Sequence, residues 1–313
     1  MTDRNTSRKY EHVAVLMGGW SAEREVSLSS GRECAAALEG EGYRVTRVDA
    51  DRDLAARLAE LKPDVCFNAL HGRWGEDGCV QGLLEVLDIP YTHSGVLASS
   101  VAMNKEQTKR IVRAVGVPIA DGRVVTTAEA MADHVFEPPY VAKPVAEGSS
   151  VGVVIVKHGA NRPPEAIRSI PVTRDGELMV ERYIPGRELT CGVIGDRVTD
   201  IIDIVPAETL EFYDYQAKYA PGGSRHILPA KIPDSVRRAV QKHTLAVHQA
   251  LGCRGITRSD FRWDEDKDEL IFLEVNTQPG MTPTSLIPEL AAHAGVPFGK
   301  LLAWLVEDAG LNR

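Results

Sequence analysis

Arg258-Ser259-Asp260 and Glu274-Val275-Asn276 bracket the stretch whose reading decides the fold. Between them, Asp264-Glu265-Asp266-Lys267-Asp268 is a polar turn joining two half-apolar runs, residues 256–263 and 270–275. A hairpin symmetric about Lys267 makes Asp260 and Glu274 cross-strand neighbours and Arg258 and Asn276 another pair. Side chains alternate along a strand, so all four share one face. Two bare carboxylates about 5 Å apart repel by roughly 3 kcal/mol at an effective dielectric of about 20, so the pair calls for a cation. Hard oxygen donors without sulfur select magnesium. A solvated acidic hairpin is the alternative on these residues alone, and it fits poorly with the glycine-rich and basic elements elsewhere.

At 313 residues the chain is long enough for two or three domains with buried cores. Hydrophobic residues make up 43% and charged residues 26%, an ordinary globular balance that excludes a largely disordered chain. A formal charge of −8 and a pI near 5.7 argue against a general nucleic-acid binder, because no dominant basic face is available for a phosphate backbone. The five cysteines, Cys34, Cys66, Cys79, Cys191 and Cys253, are scattered without Cys-x-x-Cys spacing and read as reduced thiols of a cytosolic protein. Residues 1–12 are polar and no apolar run is long enough to span a bilayer, so a cytoplasmic protein without membrane insertion is expected.

Outward from the hairpin, the first third alternates strand and helix signals. The apolar run 13–17 ends in Gly18-Gly19 before a helix-prone segment from Ser21. Short β-rich runs at 45–48 and 65–70 follow, with Leu54, Leu58 and Leu61 at helical spacing between them. This predicts an open parallel sheet. In such sheets ligands bind at the carboxyl ends of the strands, where Gly18-Gly19-Trp20-Ser21-Ala22-Glu23 and His71-Gly72 both fall, so these loops are expected to face one cleft. Taken alone, His71 reads equally as a structural loop histidine. A smaller α+β unit follows, with a helix over 105–115 and strands near 124–125, 140–145, 151–156 and 179–183. A third unit holds a strand at 190–194, a polar segment at 213–229, a helix over 235–251 and then the hairpin. The expected domains are 1–98, 99–187 and 188–313, an α/β organisation whose central unit is α+β.

Glu147-Gly148-Ser149-Ser150-Val151-Gly152 lies between two β-rich runs, so its backbone N–H groups can close over phosphates, although it is not a Walker sequence. Lys143, on the preceding strand beside Pro144, can hold an ammonium toward a phosphate oxygen, and Lys105 can supply a second charge. A plain hairpin is the alternative for the Gly-Ser turn by itself. Glu181-Arg182-Tyr183-Ile184 precedes Pro185-Gly186. Its backbone can meet an adenine edge while its apolar side chains line the ring, and Glu188 can reach ribose hydroxyls. The bland alternative is a solvent-exposed strand end.

The order of these elements continues through a loop bearing Lys218 and Tyr219, Arg258-Ser259-Asp260, and Glu274-Val275-Asn276-Thr277-Gln278-Pro279-Gly280-Met281-Thr282. It resembles the D-alanine–D-alanine ligase family of the ATP-grasp superfamily over nearly the whole chain. Ser21-Ala22-Glu23-Arg24-Glu25-Val26-Ser27, His71-Gly72-Arg73 with Gly75-Glu76-Asp77-Gly78, and Phe212-Tyr213-Asp214-Tyr215 with Ala217-Lys218-Tyr219 carry the resemblance to the ligases. The metal and phosphate elements carry only the superfamily.

The resemblance implies a three-domain ATP-grasp fold, with ATP between the central and C-terminal domains and the amino acids between the N- and C-terminal ones. It implies that two D-alanines and ATP give D-alanyl-D-alanine, ADP and phosphate through an acyl phosphate, for peptidoglycan synthesis. Glu23 would hold the first ammonium in a hydrogen-bonded group with Ser149 and Tyr219, and His71 would lie beside that alanine. Arg258 and the Gly280 N–H would stabilise the tetrahedral oxyanion. Lys218, Ser285 and the Leu286 N–H would bind the second carboxylate at a helix start. Lys105, Lys143, Gly148, Ser149, Ser150 and Val151 would hold phosphate, with Glu181, Tyr183, Ile184 and Glu188 at the nucleoside. Asp260, Glu274 and Asn276 would hold two Mg²⁺ ions, or Mn²⁺ in their place. Residues 213–228 would form a lid protecting the acyl phosphate from water, and the enzyme would be a homodimer.

Two residues depart from the family pattern. Trp20 stands where many relatives carry a small residue, and it is expected to narrow the first-alanine side of the cleft. His93, where glycine is expected, reads as a surface turn residue. The rival readings are a D-alanine–D-lactate ligase, which Tyr219 disfavours, another ATP-grasp carboxylate–amine ligase, and a nucleotide-binding regulator without catalysis. Intact Glu23, Arg258, Asp260, Glu274 and Asn276 argue against the regulator.

Overall fold

The run His12–Gly18 (β1) is apolar because it is covered on both sides, every residue but Met17 being buried. The computed structural model, which describes residues 8–148, 151–206 and 223–312, makes it the middle strand of a three-stranded parallel sheet between β2 (Arg44–Ala50) and β3 (Val65–Asn68). Parallel neighbours need crossovers, and α1 (Arg24–Gly40) and α2 (Leu54–Leu61) supply them. This is the open parallel sheet expected from the sequence. Gly18 and Gly19 both take positive φ, 76° and 77°, a backbone turn that side chains disfavour.

After α3 (Cys79–Val86), α4 (Val96–Met103) and α5 (Lys105–Ala114), the chain builds a four-stranded antiparallel sheet. Its strands are β4 (Gly122–Thr126), β5 (Tyr140–Lys143), β6 (Val154–Val156) and β7 (Glu177–Arg182), in the order β4-β7-β5-β6. The short helix α6 (Thr127–Ala132) opens on a Thr126/Glu129 capping box. A second antiparallel sheet of five strands runs β10-β9-β8-β11-β12. It comprises β8 (Arg187–Ile194), β9 (Arg197–Pro206), β10 (Ser224–Ile227), β11 (Ile256–Asp264) and β12 (Glu269–Asn276). Helix α7 (Asp234–Ala250) packs on it, and α8 (Leu286–His293) and α9 (Phe298–Asp308) close the chain.

The last two helices bridge two sheets, α8 packing on β9 of the five-stranded sheet while both reach the first sheet. Val13 and Val15 of β1 share one core with Leu38 of α1, Leu290 of α8 and Leu302 and Leu305 of α9, whereas Ala14 and Leu16 face Leu54, Leu58 and Leu84 on the opposite side. One face of β1 is therefore covered jointly by α1 and the two C-terminal helices, and the other by α2 and α3.

Two expectations change. Within the segment expected as a polar lid, Ser224–Ile227 is instead a strand paired antiparallel with β9; residues 207–222 lie outside the described residues. His93 is buried, its ring edge-on to Phe67 at 5.8 Å. Its turn packs against Gly255, where a Cβ would lie 3.2 Å from the His93 Cα, and this close approach encloses what reads as a surface turn.

Candidate active site

The hairpin pairs as its symmetry requires, Arg258 opposite Asn276 and Asp260 opposite Glu274. Toward the turn the register shifts so that Phe261 faces Phe272. The extra residue is Leu273, and this bulge lets Leu273 and Glu274 line the same cavity although they are adjacent in sequence. The Asp260 carboxylate receives the Arg258 guanidinium, Nε to Oδ1 at 3.0 Å and Nη2 to Oδ2 at 2.9 Å, and the Thr190 hydroxyl at 2.6 Å. The Glu274 carboxylate lies 3.3 Å from the Lys105 ammonium. Asn276 Oδ1 accepts from the Gln278 N–H at 2.8 Å.

Lys105, Arg258, Glu274 and Asn276 line a cavity of about 470 Å³ that also takes in Glu23, His71, Gly148, Gly280, Ser285 and Leu286, while Asp260 lines the chamber beside it. A second chamber of about 140 Å³ between the two antiparallel sheets shares Lys105, Glu147, Gly148 and Glu274 with it, and is lined besides by Lys143, Val151, Glu181, Tyr183, Ile184 and Glu188. The described residues expected at phosphate and nucleoside thus surround one chamber, and those expected at the amino acids surround the other. Ser149, Ser150, Lys218 and Tyr219 lie outside the described residues.

At the amino-acid end, Glu23 is buried where α1 begins. Its carboxylate lies so close to Gly72 that a Cβ there would collide with it, and Gly72 holds φ at 71°. The His71 ring is fixed on both sides, Nε2 to Ser30 Oγ at 2.9 Å and Nδ1 to Glu76 Oε1 at 3.2 Å. Burial pushes the Glu76 carboxyl up and outweighs the pull of His71 in the other direction. The Glu147 carboxyl is likewise raised by burial, against the opposing charges of Arg73 and Lys105. Ser285 immediately precedes α8, and its Oγ accepts from the Thr282 N–H at 3.1 Å. The amide of Gln278 donates to the Leu70 carbonyl at the end of the parallel sheet, so the Glu-x-Asn strand and the His71 loop are tied directly.

At the nucleotide end, the Glu181 side chain is taken up by two lysines. It is buried, with Lys143 Nζ at 2.7 Å and Lys109 Nζ against its other oxygen. Burial alone pushes the carboxyl up, but the ammoniums of Lys143 and Lys109 outweigh it and bring the pKa down to about 2. Burial, Lys143 and Lys105 lower Lys109 to about 8 against the pull of Glu181. Lys105 Nζ donates to the Glu147 carbonyl at 2.6 Å, and Arg262 lies 3.5 Å from Glu188. Lys109 escaped the sequence reading although its spacing signalled it: Lys105 and Lys109 stand four apart and both lie on the buried stripe of α5. Glu76 stood in a recognised motif but carried no assigned partner. Leu273 had no signal, because its orientation comes from the bulge.

Trp20 does not narrow the amino-acid chamber. It stacks beside Trp74 on a separate cavity of about 270 Å³ that opens at the ends of β1 and β2, so the glycine loop and the His71 loop stand between a pair of clefts rather than facing one.

The donor chemistry fits Mg²⁺. Asp260, Glu274 and Asn276 are all hard oxygen donors, and cationic side chains already balance the two carboxylates. No group of three His, Cys, Asp or Glu suited to a metal occurs among the described residues. Two carboxylates and an amide are the incomplete set that Mg²⁺ uses when phosphate oxygens finish its shell. No helix among the described residues is long and apolar enough to cross a membrane.

The family model for the D-ala D-ala ligase C-terminus matches residues 111–307, and that for the N-terminus matches residues 50–94. A D-alanine–D-alanine ligase of Parvibaculum lavamentivorans is 60% identical over 306 residues, covering 97% of this chain and 99% of that protein. The crystal structure of D-alanine–D-alanine ligase from Bacillus anthracis superposes with a TM-score of 0.78 at 34% identity, covering 95% of this chain and 97% of that one. The same enzyme complexed with ATP superposes with a TM-score of 0.78 at 31% identity and the same coverage. The chain belongs to the D-alanine–D-alanine ligase family and has its ATP-grasp fold.

Proposed function

We propose that this chain joins two D-alanines into D-alanyl-D-alanine at the expense of ATP. The observation that carries the reading is that the two chambers adjoin, sharing Lys105 and Glu274 in their walls, with lysines on one side and Glu23, His71 and Arg258 on the other. The Bacillus anthracis relative complexed with ATP supports ATP as the nucleotide here.

In this reading the first D-alanine seats its ammonium at Glu23 beside His71. Its carboxylate oxygen attacks the γ-phosphorus, the bond from phosphorus to the β-phosphate bridging oxygen breaks, and ADP leaves. Lys105 and Lys143 hold the phosphates during that transfer. The deprotonated amine of the second D-alanine then attacks the acyl phosphate carbon, and the nitrogen releases one proton to solvent as the amide bond forms. Arg258 and the Gly280 N–H stabilise the oxyanion, and the C–O bond to phosphate breaks to release inorganic phosphate. Ser285 and the first N–H groups of α8 receive the second carboxylate. Asp260, Glu274 and Asn276 would hold Mg²⁺, which would supply charge neutralisation at the polyphosphate.

A cytoplasmic homodimer serving peptidoglycan synthesis completes the proposal, and sedimentation tests the dimer. The deciding experiment is phosphate release from ATP and Mg²⁺ with D-alanine, with L-alanine, and with D-alanine plus D-lactate, each product identified by mass. D-Ala-D-Ala formed from the D-isomer only is the expected result. A mixed ester would make the chain a lactate-using ligase, and tight ATP binding without any product would overturn the catalytic reading.

A further inference from the structure

Trp20 and Trp74 are both exposed, 43% and 37%, with ring centroids 5.9 Å apart and planes inclined by 40°. They stand at the mouth of the 270 Å³ cavity, whose floor is aliphatic: Leu54, Leu70, Val80 and Leu83. Two large indoles left in water beside an apolar hollow mark a surface built to be covered.

The charges at the mouth specify the cover. The Arg73 guanidinium lies 4.9 Å from the Trp74 ring centroid and that of Arg52 5.8 Å from Trp20. A guanidinium packed by its face keeps its N–H edge for an anion. The lining of the cavity sets Arg52 and Arg73 against a single acid, Asp51, which pairs with Arg57 at 3.2 Å, while Asp77 beside it takes the Trp74 and Cys79 N–H groups. The charge left at the rim is therefore positive, above an apolar floor and two π faces.

We propose that this cavity is a second ligand site, for a small aromatic anion whose ring packs against the indoles and whose carboxylate, sulfonate or phosphate meets Arg52 and Arg73. The cavity also shares a wall with the reaction chamber. His71 lines both, and Ser21 Oγ donates to the His71 carbonyl at 2.7 Å while accepting from the Glu23 N–H at 3.1 Å. A ligand that draws Trp20 inward pulls on Ser21, and through it on Glu23 and His71 together. Occupancy thus alters the KM for the first D-alanine and leaves that for ATP in place. This coupling rests on the proposed amino-acid role of Glu23 and His71, whereas the binding itself does not.

The test is a titration of the full chain with 8-anilinonaphthalene-1-sulfonate, read by indole fluorescence, beside the neutral N-phenyl-1-naphthylamine and the ring-free methanesulfonate. The expected result is saturable binding of one sulfonate dye, undisturbed by saturating ATP or D-alanine. Affinity should fall about tenfold in Trp20→Ala and in Arg52→Gln, and survive in Trp20→Phe, as expected for one aromatic or guanidinium contact. Both positions are surface positions, and an unchanged melting temperature separates lost binding from lost folding. Equal affinity for the neutral dye would remove the anion, and displacement by ATP or D-alanine would return the dye to the reaction chamber. A dimer that Trp20→Ala turns into monomers would make the face a contact between copies. Any of these outcomes overturns the proposal. Dye binding without a change in the KM for D-alanine would overturn the coupling alone, and an inactive chain that still binds the dye would fail only as a ligase.

Discussion

Glu181 and the pair Asp260/Glu274 lie along the same cleft, and cations neutralise them in different ways. Glu181 is enclosed and divides its two oxygens between Lys109 and Lys143. Asp260 and Glu274 each have a cation of their own, Arg258 and Lys105, and Glu274 is more open to solvent. A buried carboxylate between two ammoniums cannot exchange partners without exposing a charge to low dielectric. Glu274, partly open at the chamber wall, can exchange its ammonium for another cation at small cost. The first arrangement is a fixed brace for Lys143, and the second is a place where an ion can enter.

That contrast breaks or sharpens under four changes. The largest effect is expected for Glu274→Gln, which keeps the shape but removes the exchangeable charge. Turnover should fall by about a hundredfold or more, with the loss partly recovered at high Mg²⁺. Near-normal phosphate release at low Mg²⁺ would remove Glu274 from any ion site. Next, Glu181→Gln should destabilise the fold by about 3–5 kcal/mol, because it strands two buried ammoniums. Urea unfolding reads this directly, and an equal loss in Glu274→Gln would erase the distinction between brace and exchange site.

The third change is in pH. The folded-state pKa of Glu181 is depressed, to about 2. Its contribution is therefore fully present above the unfolded carboxyl value of about 4.5 and is lost as pH falls from there through about 2, an effect of about 3 kcal/mol. Comparing unfolding midpoints of the wild-type chain and Glu181→Gln between pH 5 and pH 2.5 checks the sign. An identical slope in both would assign the acid sensitivity elsewhere. The smallest effect is expected for Thr190→Val, which removes the hydroxyl donated to Asp260 at 2.6 Å. It should cost about 1 kcal/mol of stability while raising the Mg²⁺ needed for half-maximal rate, and an unchanged Mg²⁺ curve would separate Thr190 from the ion site.

Much of the frame was legible because it is written in short-range patterns. The apolar run through residues 13–17, the glycines after it and the symmetric polar turn around Lys267 each specify their own geometry, and the structure has the strand, the positive φ values and the cross-strand pairs. What was hidden depends on distant partners. The bulge beside Asp260 reorients Leu273, the β9 edge recruits Ser224–Ile227 into a sheet, and Gly255 encloses His93. The ion pairs of Glu181 were hidden because its partners come from α5 and β5, 72 and 38 residues earlier in the chain. Trp20 read as a substrate-cleft residue because nothing in sequence reveals that Trp74 draws it to the other side of the loop.

The route by which α8 and α9 return to β1 also sets an order of events on the ribosome. The face of the first sheet that carries Val13 and Val15 is closed by Leu290, Leu302 and Leu305, which leave the exit tunnel after almost every other residue has been translated. Until then the nascent first unit carries an uncovered apolar flank, a surface that holdase chaperones favour. A stop codon near the end of the message would therefore unroof the beginning of the protein, so that loss of about twenty-five C-terminal residues acts as a lesion in the N-terminal core.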